Sequence, residues 1–573
     1  MLGPALTLIL ALVSSTVIAA PMVDNVYKRA VASLNPSSTE LPFYFPESVY
    51  ESIPHSGDAP SPSSEEDGIK TATDYIFNRL SLGASDFKVF NSYTDAAGVS
   101  HVYGAHMVND VRVANHQAAA HAKNGQVTSF SSSFGTDQHF SKSELVVSEA
   151  KATLSFGEVS SIASTQLGIP VYSKFKHVFE YVELPDGKVV YAYKLQLRNN
   201  PLTRWVQVWC NANTGEVIQA VNFVKRLRTR SSPNGWTDGK VTEGNNIITL
   251  TPSGKATRAI RNGVFKTKFN SKGEPGTAAN VAAAAVNLFY LTNVMHDISY
   301  QYGFTESAGN FQNDNFGKGG QGNDAVTINV LSNSNVNHAE FFTSPDGQPG
   351  IMNMYLFDTD TPNRSGGLDN SVVIHEYAHG ISNRLTGGPA TASCLATDEA
   401  GGMGEGWSDV IAMIVLAKSS DTATTGIPIA AYVTNDPTGI RSHPYTTDMT
   451  ANPLTYSDLQ TRNELHTIGE VWATMLWEVY WSLVTKHGFS ANLYDAKQSA
   501  GNVVAMKVII GGMTIQSCNP TFLGARDAII AADFNHYKGD NKCEIYKAFA
   551  KRGLGLGATD TRTDDFSVPP ECQ

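Results

Sequence analysis

His375 and His379 stand four residues apart with Glu376 beside the first, in Val372–Leu385 (V-V-I-H-E-Y-A-H-G-I-S-N-R-L). This is the H-E-x-x-H pattern. On an α-helix, positions i and i+4 lie one above the other, so both imidazoles reach a single zinc ion. Glu376, rotated by about 100°, falls out of that line but reaches a water on the metal, as a general base must. Glu405 offers a third ligand. It lies in Glu399–Asp409 (E-A-G-G-M-G-E-G-W-S-D), a glycine-rich turn entering the apolar run Val410–Ala417. A structural zinc site is closed by four protein ligands, whereas a catalytic one uses three and leaves the fourth place to water. His375, His379 and Glu405 make a set of the second kind. Asp409, one turn beyond Glu405, is placed to accept the other N–H of a zinc histidine. The plainer alternative is two core histidines and an acidic pair favoured by a helix N-terminus. The extended form H-E-x-x-H-x-x-G-x-x-H is excluded, because Ser382 and Leu385 stand where it needs glycine and histidine.

These side chains need rigid elements beneath them. Val372, Val373, Ile374, Ala378 and Ile381 give the histidine helix an apolar cover, so it is predicted to be central and buried. A second helix is predicted over Ala279–Tyr302. It carries His296 and Asp297, a structural polar pair rather than a second metal site. Met352–Phe357 reads as a strand, and the chain after Gly401 as mostly helical. A site between two lobes is the expected arrangement, with the His375 helix as cleft floor.

H-E-Y-A-H-G followed by G-M-G-E-G-W-S-D resembles the fungalysin family of secreted metalloendopeptidases, distant relatives of thermolysin. Asn287–Phe304, Gly309–Gly322 and Cys518–Ile529 are similar to family segments as well, and the match runs from about Gly235 to the C-terminus. The resemblance implies an α+β, two-lobed, thermolysin-like metalloprotease. Its N-terminal lobe (231–400) is β-rich and carries the zinc helix; its C-terminal lobe (401–573) is mainly helical. It implies one Zn2+ per chain and hydrolysis of internal peptide bonds of extracellular proteins, through a zinc-bound water and Glu376 as base. His466, in Glu464–Trp472, resembles the family's oxyanion-stabilising histidine, with His443 and Tyr445 as competitors. The family's N-N-A-N-F appears as Asn337–Phe341 (N-H-A-E-F). Ala339, with His338 next to it, is thereby implied in pairing with the substrate backbone; His338 and Glu340 depart from the pattern.

Upstream, Thr71–Val224 reads as an α+β region. Ile76–Leu82 looks helical, and His101–Val113 and Ala118–Phe130 alternate like strands around a Lys123-Asn-Gly125 hairpin turn. M-V-N-D-V-R-V-A-N and N-A-N-T-G-E-V resemble the two-part propeptide of fungalysin- and thermolysin-like enzymes, implying that the chain's own propeptide (21–230) acts as inhibitor and folding aid. Leu2–Ala19 reads as a signal peptide (1–20) for secretion to the extracellular space. Ser61–Asp67 reads as an exposed linker. Lys225-Arg226-Leu-Arg228-Thr-Arg230 suits a processing region.

The balance of 42 Lys+Arg against 53 Asp+Glu gives no basic field to favour nucleic acid. No segment after the signal reads as long enough for a membrane, and a monomer acting on protein or peptide substrates is expected. Five cysteines, Cys210, Cys394, Cys518, Cys543 and Cys572, become four if Cys210 leaves with the propeptide, and four allow three pairings. The family resemblance favours Cys518–Cys543, leaving Cys394–Cys572. Asn363-Arg-Ser365 is an N-glycosylation sequon. Calcium is left open. A zinc aminopeptidase would need a device for the free amino terminus, and no G-A-M-E-N-like segment is found. A catalytically idle binding protein would have lost Glu376 or a ligand.

Overall fold

The structure is a computed structural model. It describes residues 44–573 apart from 47, 54–64, 96–97, 135–145, 200–203, 223, 229–246, 251–266 and 359. The signal peptide, most of the linker and the bonds beyond Arg228 in the basic run lie outside the described residues.

The N-terminal region is α+β, as the sequence implies. Its elements are β1 (Val49–Ser52), α1 (Glu65–Arg79), β2 (Phe87–Thr94), β3 (Val99–Val108), β4 (Val111–Lys123), β5 (Gln126–Ser132), β6 (Val146–Val147), α2 (Phe156–Leu167), β7 (Val178–Glu183), β8 (Lys188–Arg198), β9 (Trp205–Asn211) and β10 (Val217–Asn222). They form one sheet with the main order β1-β5-β4-β7-β8-β9-β10, β2 joining through β3 and β6 through β8. Asn124 and Gly125 both take positive φ (51° and 73°), the two-residue hairpin turn their types favour. A second such turn cuts the strand expected over His101–Val113 in two. Asn109 and Asp110 stand at φ 50° and 60°, and short polar side chains tolerate that region best after glycine. Helix α1 begins at Glu65, inside the stretch expected to be linker; Glu65, Glu66 and Asp67 are the acidic residues a helix N-terminus favours.

Next come β11 (Val224–Arg228) and β12 (Ile247–Leu250), then the first long helix α3 (Ala278–Gln301). Strands β13 (Val326–Asn329), β14 (His338–Phe342) and β15 (Ile351–Met354) follow, with the small pair β16 (Leu356–Phe357) and β17 (Arg364–Ser365). The second sheet runs β11-β14-β15-β13-β12. Strand β14 is antiparallel to β15 on one side and to β11 on the other. Helix α3 is long and apolar enough to cross a membrane by length and composition alone, but half of it is buried inside the protein, as a core helix would be.

The rest is helical: α4 (Asn370–Leu385), α5 (Asp398–Leu416), α6 (Ala431–Thr434), α7 (Leu465–His487), α8 (Gly501–Ile515), α9 (Phe522–Tyr537) and α10 (Lys542–Lys551). The Asp369 carboxylate caps α4 by accepting from Ser371 N at 3.1 Å. Val372, Val373, Ile374 and Ile381 are fully buried. At about 1.5–3 kcal/mol per buried aliphatic side chain, they offset the cost of burying the polar residues beside them. Arg384 anchors the last turn of α4 to the first lobe, donating to Asp324 Oδ2 and to Gly309 O, each at 2.7 Å, and to Ser344 O at 2.8 Å.

The disulfides differ from the expected pairing. They are Cys394–Cys518 and Cys543–Cys572, with Cα atoms 4.4 and 5.0 Å apart. The first joins two connections already laced together: Asn519 N donates to Cys394 O at 2.8 Å, and Asn519 Oδ1 accepts from Ala396 N at 2.8 Å. Cys543 lies on α10, against which the C-terminal turn folds back. Removing the longer closure by Cys394→Ser with Cys518→Ser should cost about 2–4 kcal/mol of stability. Denaturant unfolding under non-reducing conditions will measure it, and no loss would mean the bond is not formed. Cys210 sits in the N-terminal core, its thiol pushed up to about 12 by burial.

Candidate metal centre

Two helices meet at one point. Helix α4 presents His375 and His379; helix α5, capped by Thr397 Oγ1 accepting from Ala400 N, presents Glu405. His375 Nε2 and His379 Nε2 are 3.0 Å apart, and they lie 3.2 and 3.3 Å from Glu405 Oε2. All three side chains are 0–1% exposed. They are the group among the described residues whose ligand atoms lie close enough to share one ion. A tetrahedral cation held at about 2.0–2.1 Å needs ligand atoms about 3.3 Å apart, so two imidazoles and a carboxylate in this triangle fit one with only small adjustment.

Asp409 holds the first histidine. Its Oδ1 lies 2.7 Å from His375 Nδ1, which directs Nε2 of that ring at the meeting point. Asp409 is in turn gripped by Arg441, Nε at 2.7 Å and Nη2 at 2.9 Å, and by the Tyr445 hydroxyl at 2.6 Å. Burial opposes a charge on Asp409, yet Arg441 and His375 hold its carboxyl far below the usual carboxylate range. Burial also opposes a charge on His375, but the hydrogen bonds to Asp409 and Glu405 carry it up to about 9. Glu405 is likewise held well below its ordinary value against burial, chiefly by His379 and His466. Arg441 was not foreseen from the sequence; nothing in the spacing of Ile440–Tyr445 marks it. Tyr445, a competitor for the oxyanion role, donates its hydroxyl to Asp409 Oδ2. His443 bonds Ser442 Oγ at 3.0 Å.

Glu376 is fully buried, and among the described residues neither of its carboxyl oxygens has a hydrogen-bond partner. Burial pushes its pKa well above the ordinary glutamate value; His375 pulls it back, while Glu405 and Glu340 add to the rise.

His466 also comes to the centre. Gly402 and Gly406 of α5 face Gly469 of α7. A Cβ on Gly406 would stand 2.6 Å from Gly469 O, and one on Gly469 would stand 2.6 Å from Glu405 Cβ. Only glycine permits that approach. It brings His466, three residues earlier, to the ligand set: His466 Nε2 lies 3.6 Å from Glu405 Oε2, and Nδ1 lies 2.6 Å from Glu464 Oε1. Ala339 and His338 are on β14, paired through the backbone with Leu227 and Arg228 of β11. Strand β11 also runs beside α4. The other polar pair stays away from this centre: His296 Nδ1 bonds Asp297 at 3.1 Å and Nε2 bonds Gln312 at 3.1 Å.

Comparison with known proteins gives the family. The model of the fungalysin metallopeptidase family matches residues 206–558, and that of the fungalysin/thermolysin propeptide motif matches residues 85–134. The chain belongs to the fungalysin metallopeptidase family. Among relatives of this fungalysin, the extracellular metalloproteinase MEP of Pyricularia oryzae is 37% identical over 561 residues, covering 86% of this chain and 87% of the relative. Extracellular metalloproteinase 3 of Arthroderma otae is 36% identical over 579 residues, covering 89% and 90%. A probable extracellular metalloproteinase 1 of Arthroderma benhamiae is 49% identical over 300 residues, covering 51% and 47%. The fungalysin is therefore a metallopeptidase with a propeptide motif in its N-terminal region, built on the two-lobed α+β plan read from the sequence. A metallopeptidase needs a metal, and among the described residues His375, His379 and Glu405 form a group that could hold one.

Proposed function

We propose that this fungalysin is a secreted zinc endopeptidase made as an inactive zymogen. The observation that carries the proposal is the convergence of His375, His379 and Glu405 on one point, next to a buried carboxyl, Glu376, that makes no other bond among the described residues. When bound, Zn2+ supplies Lewis acidity and a water made acidic enough to attack at neutral pH. Asp409 fixes the orientation of His375. Glu376 accepts a proton from the attacking water and passes it to the departing amine. His466 donates from Nε2 to the oxyanion that forms, while Glu464 holds Nδ1. The peptide lies along β14 and pairs with the backbone of Ala339, with His338 beside it. In the intact chain β11 holds that edge, antiparallel to β14; this supports a propeptide that inhibits by occupying the substrate's place. The extracellular naming of the relatives supports secretion. To test the activity, the processed protein is incubated with a denatured protein, with and without a zinc chelator, and the cuts are mapped by mass spectrometry. Internal cuts abolished by the chelator are expected; chelator-insensitive cutting, or none, would refute the proposal.

The contact between the N-terminal region and the helical lobe should depend on pH. His536 of α9 lies in a small cavity with Asp95, His101 and Tyr93. Tyr103 donates to Thr514 O at 2.9 Å nearby. His101 bonds His121 Nδ1 at 2.8 Å and lies 3.2 Å from Asp95. Burial pushes His536 down to about 4; Asp95 opposes this, and Lys507, Lys123 and His101 add to it. The docked state thus refuses a proton that His536 accepts when the parts are separated. Docking is at full strength above the ordinary histidine value and is lost as pH falls from about 6.5 toward 4. A cut but still bound propeptide should dissociate about tenfold or more readily at pH 5 than at pH 7.5, as read by co-elution. Equal retention at both pH values would contradict this.

A further inference from the structure

Ile440–Pro444 belong to no helix or strand, yet this connection carries Arg441, the residue that grips Asp409 through two bonds. A helix repeat aims His375 and His379; Arg441 is aimed only by the ties of its own backbone. Those ties are specific. Ile440 N donates to Ile429 O at 3.0 Å, and Tyr445 and Ile427 exchange backbone bonds of 3.0 and 2.9 Å. Between them, Ser442 N donates to Glu470 Oε1 at 2.8 Å, and the Ser442 hydroxyl donates to Oε2 of the same carboxylate. Ser442 directly follows Arg441, so one side chain of α7 fixes the backbone from which Arg441 reaches Asp409.

Glu470 is itself firmly held. It is 5% exposed, one helical turn beyond His466 and next to Gly469, against which Glu405 packs. Arg462 Nη1 donates to Glu470 Oε2 at 2.9 Å and to Thr467 O at 3.3 Å, so the same arginine ties the carboxylate to the first turn of α7. Bonds to an ionised carboxylate are roughly twice as strong as neutral ones, and a carboxylate this buried is costly without such partners. The helix that carries His466 and the connection that steadies His375 are thereby joined at a single side chain.

Resting on the metal centre proposed above, we infer that Glu470 is a positioning residue of that centre: it holds Ser442 so that Arg441 grips Asp409, and Asp409 in turn aims His375 at the metal. The test measures the zinc affinity of the full chain, stripped of metal and then titrated in competition with a chromophoric chelator. Glu470→Gln keeps the size of the side chain but sets an amide against Arg462 and Ser442. It should weaken zinc by roughly three- to tenfold, short of the ~10–100-fold that loss of a ligand's direct partner costs. In an Arg441→Gln background the grip on Asp409 is already gone, and there Glu470→Gln should weaken zinc by about twofold at most, because the two residues act along one route. The visible spectrum of bound Co2+, which reports the arrangement of the ligands, should change with Glu470→Gln in the parent and not in the Arg441→Gln background. Equal losses in both backgrounds, or no loss in the parent, would overturn the role of Glu470 while leaving the centre standing. A parent chain that takes up no zinc would overturn the centre and this inference with it. Should Glu470→Gln fail to fold, Arg462→Gln decides, because it releases the same carboxylate from the more open side, where the Arg462 side chain is 17% exposed. It should show a smaller loss with the same dependence on Arg441, and a loss independent of Arg441, or none, would overturn the inference.

Discussion

Glu376→Gln is expected to keep its metal, one ion per chain, and to lower kcat on a peptide substrate by about 10²–10⁴-fold, the usual contribution of a positioned acid–base group. Glutamine has nearly the same shape, so packing around the 0%-exposed side chain is preserved. No hydrogen bond among the described residues is broken, since the carboxyl oxygens make none. The substitution also removes a group that Glu405 and Glu340 disfavour as an anion. The variant should therefore melt no lower than the parent. What it loses is the ability to take a proton from water and return it to the leaving amine. Metal content by mass spectrometry and single-turnover hydrolysis together give the answer. Near-parental turnover would rule out Glu376 as the base, and loss of metal would mean that it serves the ion.

Why the candidate ligand set stands out in the chain, while its surroundings do not, follows from the range of the interactions. His375 and His379 are related by a single helical turn, a local regularity that any α-helix enforces. Glu405 is 30 residues away from His375, but it sits in its own glycine-rich run, and the glycines that mark the run also let α5 meet α7 closely. Asp409 followed from Glu405 by another helical turn. Arg441 had no such handle: its grip on Asp409 depends on how a connection folds over α5, and a lone arginine in a loop has no periodicity. The disulfides failed for a similar cause. Cys394 and Cys518 are 124 residues apart and are brought together by backbone lacing around Asn519, which leaves no trace in cysteine spacing. The turn at Asn109-Asp110 was missed because the apolar alternation continues on both sides of it. The pairing of β11 with β14 joins segments more than 100 residues apart, and only the register of the folded sheet sets Arg226 against Glu340.

Glu405→Ala should lose both metal and turnover, and so separates from Glu376→Gln in a single pair of measurements. The carboxylate oxygen that closes the triangle with the two imidazoles, 3.2 and 3.3 Å away, is removed. Two histidines 3.0 Å apart remain, with no carboxylate to complete the set. Loss of an outer partner such as Asp409 costs about 10–100-fold in metal affinity; loss of a ligand itself should cost more, leaving well under one ion per chain after dialysis. Some return of metal at high zinc is expected, because the histidine pair is still held by α4 and by Asp409, but turnover should not recover in proportion, since the coordination that sets the acidity of the attacking water is changed. Stability is expected to shift less than function: alanine keeps the Cβ that packs against Gly469 of α7, and only the carboxylate arm is lost. A Glu405→Ala protein that retains a full complement of metal and parental hydrolysis would show that the ion is held elsewhere, and the roles given to His375, His379 and Glu376 would fall with it.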